Sequence, residues 1–134
     1  MKIPYYECNS SGNTFIILYP FNTSKILSPK FIQEICQSCS SEKVDGLILI
    51  RSKNKLFSID YYNNDGSWET FCLNGTICSS QILLEKNINI KKIITGSGEC
   101  GIDFLKNNKI KIELHNPYAM KFNKNRLKWE NSNL

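Results

Sequence analysis

Asn63–Cys78, NNDGSWETFCLNGTIC, decides the reading of this chain. Asn63-Asn64-Asp65-Gly66 is turn chemistry, because Asn and Asp tolerate a left-handed backbone and Gly adopts one without steric cost. Trp68 to Phe71 then reads as a short strand. Cys72 stands at the start of a helix expected from Thr76 to Lys86, with Asn74 as the expected N-cap. A thiol in that place faces the positive end of the helix dipole, which favours thiolate. The free amides beside it form a holder for a carboxylate or an enolate-like oxygen. Base and anion holder would come from one local structure.

Working outward, the residues predict strands at Lys2 to Cys8, Thr14 to Tyr19, Gly46 to Arg51, Leu56 to Tyr62, Lys92 to Thr95, Cys100 to Leu105 and Lys109 to Leu114. Phe15 to Leu18 is a continuous apolar run, as for a strand covered on both faces. Turns are expected at Asn9 to Gly12, Ser52 to Lys55 and Lys106 to Lys109. Ser28 caps a first helix that has Pro29 in its first turn. Phe31, Ile32, Ile35 and Cys39 recur at helical spacing, and this helix is expected to end near Ser40. Ile77, Ile82, Leu83 and Leu84 make the second helix apolar around much of its girth, so it should be surrounded rather than laid on a surface. About seven strands and two helices give an α+β fold, a mixed, strongly curled sheet wrapped around a central helix. After Pro117 the pattern fades into a polar stretch rich in Lys and Asn.

The 134 residues carry a net charge of +5 and are 41% hydrophobic, which suits one globular domain. The lysines are scattered and read as solvated surface, without the aromatic interleaving that nucleic acid would want. No nucleic-acid partner is expected, and an anionic small substrate would be welcome in the positive field. The apolar runs are too short to span a membrane, and Met1-Lys2-Ile3-Pro4 opens no signal peptide, so a cytoplasmic protein without a membrane partner is expected. Six cysteines do not suggest a disulfide framework outside an oxidising compartment. Cys36 and Cys39 form a C-x-x-C at the end of a helix with no second pair to complete a zinc site. They read as packing residues, and no metal is expected. Cys8, Cys78 and Cys100 are also read as packing, Gly96-Ser97-Gly98 as a turn, and His115, the only histidine, as surface or turn.

NNDGSWETFCLNGTIC resembles the NADGS-x-x-x-x-CGNG-x-x-C segment of the diaminopimelate epimerases. Ser11-Gly12-Asn13-Thr14-Phe15 is similar to that family's GLGNDF, and Val44-Asp45-Gly46-Leu47 to its FDQLL. The likeness runs in order over about residues 1 to 120 and covers only the N-terminal half of such an enzyme. It implies two pseudo-symmetric halves, each a sheet rolled around one helix. It implies an amino-acid epimerisation without a cofactor, using one cysteine from each half. Cys72 matches the first cysteine. The amides of Leu73 and Asn74 would hold the substrate's α-carboxylate, and Asn13 and Asn63 would contact the substrate. Residues 1–118 would form the epimerase-like domain and residues 119–134 a linker or tail toward a second half.

Four positions depart from the family pattern. Leu73 stands for a glycine, Ile77 for an arginine, Gly46 for a glutamine and Thr14 for an aspartate. The chain alone would supply one base and half a pocket, so the isolated half is expected to be inactive. Its partner would be a missing C-terminal half or a second copy. A fragment, a reduced enzyme and a decayed relative all fit. So do another racemase or isomerase of the same fold and a non-catalytic binding module.

Overall fold

The computed structural model describes residues 4–39 and 43–114. Its elements run β1 (Tyr5–Ser10), β2 (Asn13–Leu18), α1 (Pro29–Ser38), β3 (Gly46–Lys53), β4 (Leu56–Asn63), β5 (Trp68–Glu69), α2 (Leu73–Glu85), β6 (Lys92–Thr95), β7 (Gly98–Leu105) and β8 (Lys109–Leu114). One mixed sheet has the order β1-β2-β3-β4-β6-β7-β8, and β5 pairs with β4 beside that path. The strand expected over Trp68 to Phe71 is the two-residue β5. The opening of the first strand at Lys2, the helix end at Ser40, His115 and the 119–134 tail lie outside the described residues.

Local chemistry sets the hairpins. Ser10 pairs with Asn13 and Lys53 with Leu56, which leaves two-residue loops at Ser11-Gly12 and Asn54-Lys55. Both residues of each loop have positive φ, the geometry that matches the right-handed twist of the flanking strands. Asn107 and Asn108 turn β7 into β8 in the same left-handed region. At α1 the Phe31 amide donates to the Ser28 hydroxyl oxygen at 3.1 Å, as the Ser-Pro signal predicts.

The joins of β2 to β3 and of β4 to β6 are parallel, so each needs a crossover, and α1 and α2 provide them. The two helices serve opposite faces. On β2 and β3, Phe15, Ile17, Ile48 and Ile50 face inward to a core shared with Cys78, Ile82 and Leu83 of α2. Ile16, Leu18, Leu47 and Leu49 face outward to a second core with Ile32 and Cys36 of α1. The strict alternation explains why the apolar runs are unbroken: both faces are covered. Helix α2 touches β1, β2, β3, β4 and β8, so the sheet curls around it.

Gly46 is fixed by close approach. A Cβ there would lie 2.6 Å from the Tyr62 carbonyl oxygen and 2.8 Å from Cε1 of Tyr61. Gly46→Ala is therefore expected to cost about 1–3 kcal/mol, the usual range for overpacking, as read from chemical denaturation. An unchanged midpoint would show that the strand yields.

Candidate active site

The site grows from the start of α2. The helix begins at Leu73 rather than at Thr76, and the cap is Cys72 rather than Asn74. Cys72 is extended (φ −143°, ψ 115°), and its sulfur accepts from the Gly75 amide at 3.4 Å. Its carbonyl accepts from both the amide and the hydroxyl of Thr76 at 2.9 Å. With the sulfur in the capping role, the helix gains the residues that sequence preference had placed before it. The Leu73 and Asn74 amides fall in the first turn, where a helix offers no acceptor. The Leu73 side chain is 51% exposed and fills no interior space.

Asn74 has a different partner. Its side-chain amide donates to Oδ1 of Asn13 at 2.6 Å, across the gap from the start of β2 to the start of α2. Two segments far apart in the chain are thereby joined beside the thiol. A third joins through Asp45: the Thr14 amide donates to its carboxylate at 2.9 Å, and its own amide donates to the Thr14 carbonyl at 2.7 Å. Asn63 closes the same end of the sheet, paired with Gly46, which in turn pairs with Phe15. Its side-chain amide donates to the Ser67 hydroxyl at 3.0 Å and to Glu69 at 3.2 Å. Among the described residues no hydrogen bond links Asn63 to Cys72, Asn13 or Asn74.

The turn residues act as expected. Asn64 donates to the Val44 carbonyl at 2.9 Å. The Asp65 carboxylate accepts from the hydroxyl and amide of Ser67, which holds it below the usual carboxylate range.

The Asn13–Asn74 bond yields a clean test. Replacing either residue with alanine should cost about 1 kcal/mol, the net worth of one such bond. The double variant should cost less than the sum of the two. Strict additivity in a double-mutant cycle would show that the bond carries no weight.

Tyr61 was missed from sequence. Phe57, Ile59 and Tyr61 alternate along β4 onto the inner face, which places the phenol at the thiol end of that strand. Its ring meets Phe15 edge-on at 5.7 Å between centroids. Burial, then the charge of Cys72 and hydrogen bonding with its sulfur, then Asp45 and Glu69, push the phenol above its ordinary range.

All six cysteines are free, and Cys8 and Cys78 pack in the same inner core as Cys72. Cys78 is pushed up mainly by donating a hydrogen bond to Cys8, with burial adding to it. Cys8 is lowered by the same bond. Burial, helped by nearby Cys39, pushes Cys36 up to about 11. Burial also raises Cys100.

The site thus combines a thiol, first-turn amides, a side-chain amide pair and a phenol. No helix among the described residues is long and apolar enough to cross a membrane. No family model matches the sequence. The diaminopimelate epimerase of Hydrogenobaculum sp. is 31% identical over 131 residues, 88% of this chain and 46% of the relative. Those of Leptospira biflexa and Pelagibacter ubique are 30% and 32% identical, over 85% and 87% of this chain and 42% and 43% of their own. Among solved structures, PhzF-family phenazine biosynthesis proteins share the fold. The one from Bacillus anthracis has a TM-score of 0.55 at 17% identity, covering 84% of this chain and 40% of its own. That from Enterococcus faecalis has a TM-score of 0.58 at 13% identity, covering 79% and 42%. The chain spans less than half the length of the curated relatives it matches. By sequence likeness over most of its length, and with a curled sheet around α2 that agrees, the chain resembles diaminopimelate epimerases over less than half of their length.

Proposed function

We propose that this chain supplies one cysteine and half the pocket for cofactor-independent epimerisation of diaminopimelate, L,L to meso. The observation that carries the reading is the position of Cys72 as the cap of α2, with the Asn13–Asn74 bond anchored beside it. The α-proton of an amino acid is weakly acidic, so its removal needs a base in place and an environment that stabilises the charge left on carbon. In this reading the Cys72 thiolate takes the Cα proton. A cysteine thiol from the other half returns a proton on the opposite face, and the two exchange roles in the reverse direction. The Leu73 and Asn74 amides hold the α-carboxylate at the positive end of α2. Asn13 and Asn63 contact the substrate. Asn13 already orients Asn74; Asn63 would have to share or release its bonds to Ser67 and Glu69.

Residues 1–118 form the epimerase-like domain in this account, and residues 119–134 lead toward the second half. The complete site is cytoplasmic, and its partner is that half or a second copy of the chain. One side of a pocket leaves the isolated chain inactive or nearly so.

The test is an assay in deuterated water with L,L-diaminopimelate, using this chain with its complementary half. The meso product should appear with deuterium at the inverted carbon, and the chain alone should give little. Full turnover by the chain alone would refute the half-site reading. No exchange by the complete pair would refute the epimerase reading. A second reading, another amino-acid racemase or isomerase, draws on Gly46 and Leu73, which stand where the family pattern has glutamine and glycine. Proline and simpler amino acids in the same assay separate the two.

A further inference from the structure

We infer that the end of the domain opposite Cys72 docks on the surface of an anionic lipid bilayer, with lysines of three connections against the headgroups and Leu56 and Leu105 reaching into the interface. Topology builds this end. β3 runs from Gly46, level with Asn63, away to Lys53, where Asn54-Lys55 turns it back. α2 runs the same way from Cys72 to Glu85, and its 13 residues span about 20 Å. β6 is parallel to β4 and antiparallel to β7, so β7 also runs away from the site, to Leu105, before β8 returns from Lys109. The connections at residues 53–56, 85–92 and 105–109 therefore share one end. The first two line a common groove of about 570 Å³, with Lys55 and Leu56 on one wall and Ile88 and Lys91 on the other. The Ile102 amide donates to the Lys91 carbonyl at 2.8 Å, which ties β7 to the same rim.

These connections carry Lys53, Lys55, Lys86, Lys91, Lys92, Lys106 and Lys109 against one carboxylate, Glu85, and all seven lysines are exposed. Lys92 pairs with Glu99 at 3.1 Å, and Lys86 lies 4.4 Å from the centre of the Tyr6 ring. Among the described residues the other five have no ion-pair partner. Lysines that are scattered in the sequence are thus gathered by the fold. Two aliphatic side chains stand among them: Leu56 is 41% exposed beside the Asn54-Lys55 turn, and Leu105 is 49% exposed before the β7–β8 turn. An anionic bilayer matches both features, because its headgroups attract the ammonium groups and its interface takes the leucines out of water. A nucleic acid would reward aromatic platforms or guanidinium forks among the lysines, and these connections hold no aromatic residue and no arginine. The expectation of no membrane partner rested on the lack of a spanning run, which says nothing of surface contact. This end shares no residue with the Cys72 site, so the inference stands apart from the epimerase reading.

The experiment sediments this chain with vesicles of phosphatidylcholine alone and of phosphatidylcholine mixed with phosphatidylglycerol. Binding should need the anionic lipid and should weaken as salt is raised. Lys53→Gln combined with Lys55→Asn, which suits the left-handed turn, should weaken it by roughly twenty- to thirtyfold, the product of about fivefold for each charge removed. Lys106→Gln combined with Lys109→Gln should do the same from the other hairpin. Leu56→Asn combined with Leu105→Asn should weaken binding at unchanged net charge. Lys30→Gln, on α1 next to Pro29, which packs on the Gly66 turn at the site end, should cost far less per charge. No sedimentation with the anionic vesicles would overturn the inference. So would an equal loss per charge from Lys30→Gln, or leucine variants that bind like the parent. Tighter binding to a single-stranded oligonucleotide than to the vesicles at the same salt would assign the surface to nucleic acid instead. If one hairpin variant fails to fold, as read by circular dichroism, the other hairpin decides.

Discussion

Epimerisation by the complete enzyme should fall by about 10²–10⁴-fold when Cys72 is replaced with alanine, the usual weight of one general acid–base group. Loss should appear in kcat rather than in KM, because the sulfur acts on the proton in flight and the carboxylate stays with the first-turn amides. Stability should change far less. Alanine removes an N-cap, worth about 0.5–2 kcal/mol, but it leaves the Thr76 bonds to the Cys72 carbonyl intact. Cys72→Ser keeps a capping oxygen and should fold at least as well, while its hydroxyl is far too weak an acid to replace the thiol at neutral pH. Turnover within a factor of a few of the parent in both variants would remove Cys72 from the chemistry.

The second large effect is on the fold. Leu83→Ala should destabilise the domain by about 2–5 kcal/mol, the range for a large-to-small change in a tight core. Leu83 is fully buried on α2, in the core shared by Ile17, Ile48 and Ile93 of three strands. No single neighbour can collapse into the space, because the sheet reaches the helix from several sides. The matching change on α1, Ile32→Ala, empties only the outer core. Urea midpoints compare the two. A loss below 1 kcal/mol at Leu83 would mean that α2 is not the centre around which the sheet closes.

These effects also show how far the sequence could be read. The unbroken run Phe15–Leu18 announced a strand with two covered faces, and the two cores lie on its two sides. Ser28-Pro29 announced α1 because its cap is made of neighbouring residues. The start of α2 was misplaced for a physical reason. Asn is a far commoner cap than Cys, and nothing local reveals that Asn74 is committed to Asn13. Once that long-range bond exists, the sulfur of Cys72 caps the helix instead. Tyr61 was hidden for a similar reason. Its inward direction follows from alternation along β4, but its place beside Cys72 depends on the register of β4 against Gly46 and on the turn that returns β5. The shape of this domain lies in patterns of neighbours, whereas its site lies in pairings between distant segments.

The central claim is that the sulfur of Cys72 meets the substrate's α-carbon. A crystal structure of the chain with its complementary half and bound diaminopimelate tests it most directly. The account predicts Sγ at about 3–3.5 Å from Cα, in line for the proton, with the α-carboxylate on the Leu73 and Asn74 amides. A carboxylate bound elsewhere, or a sulfur turned from Cα into the protein, would contradict it.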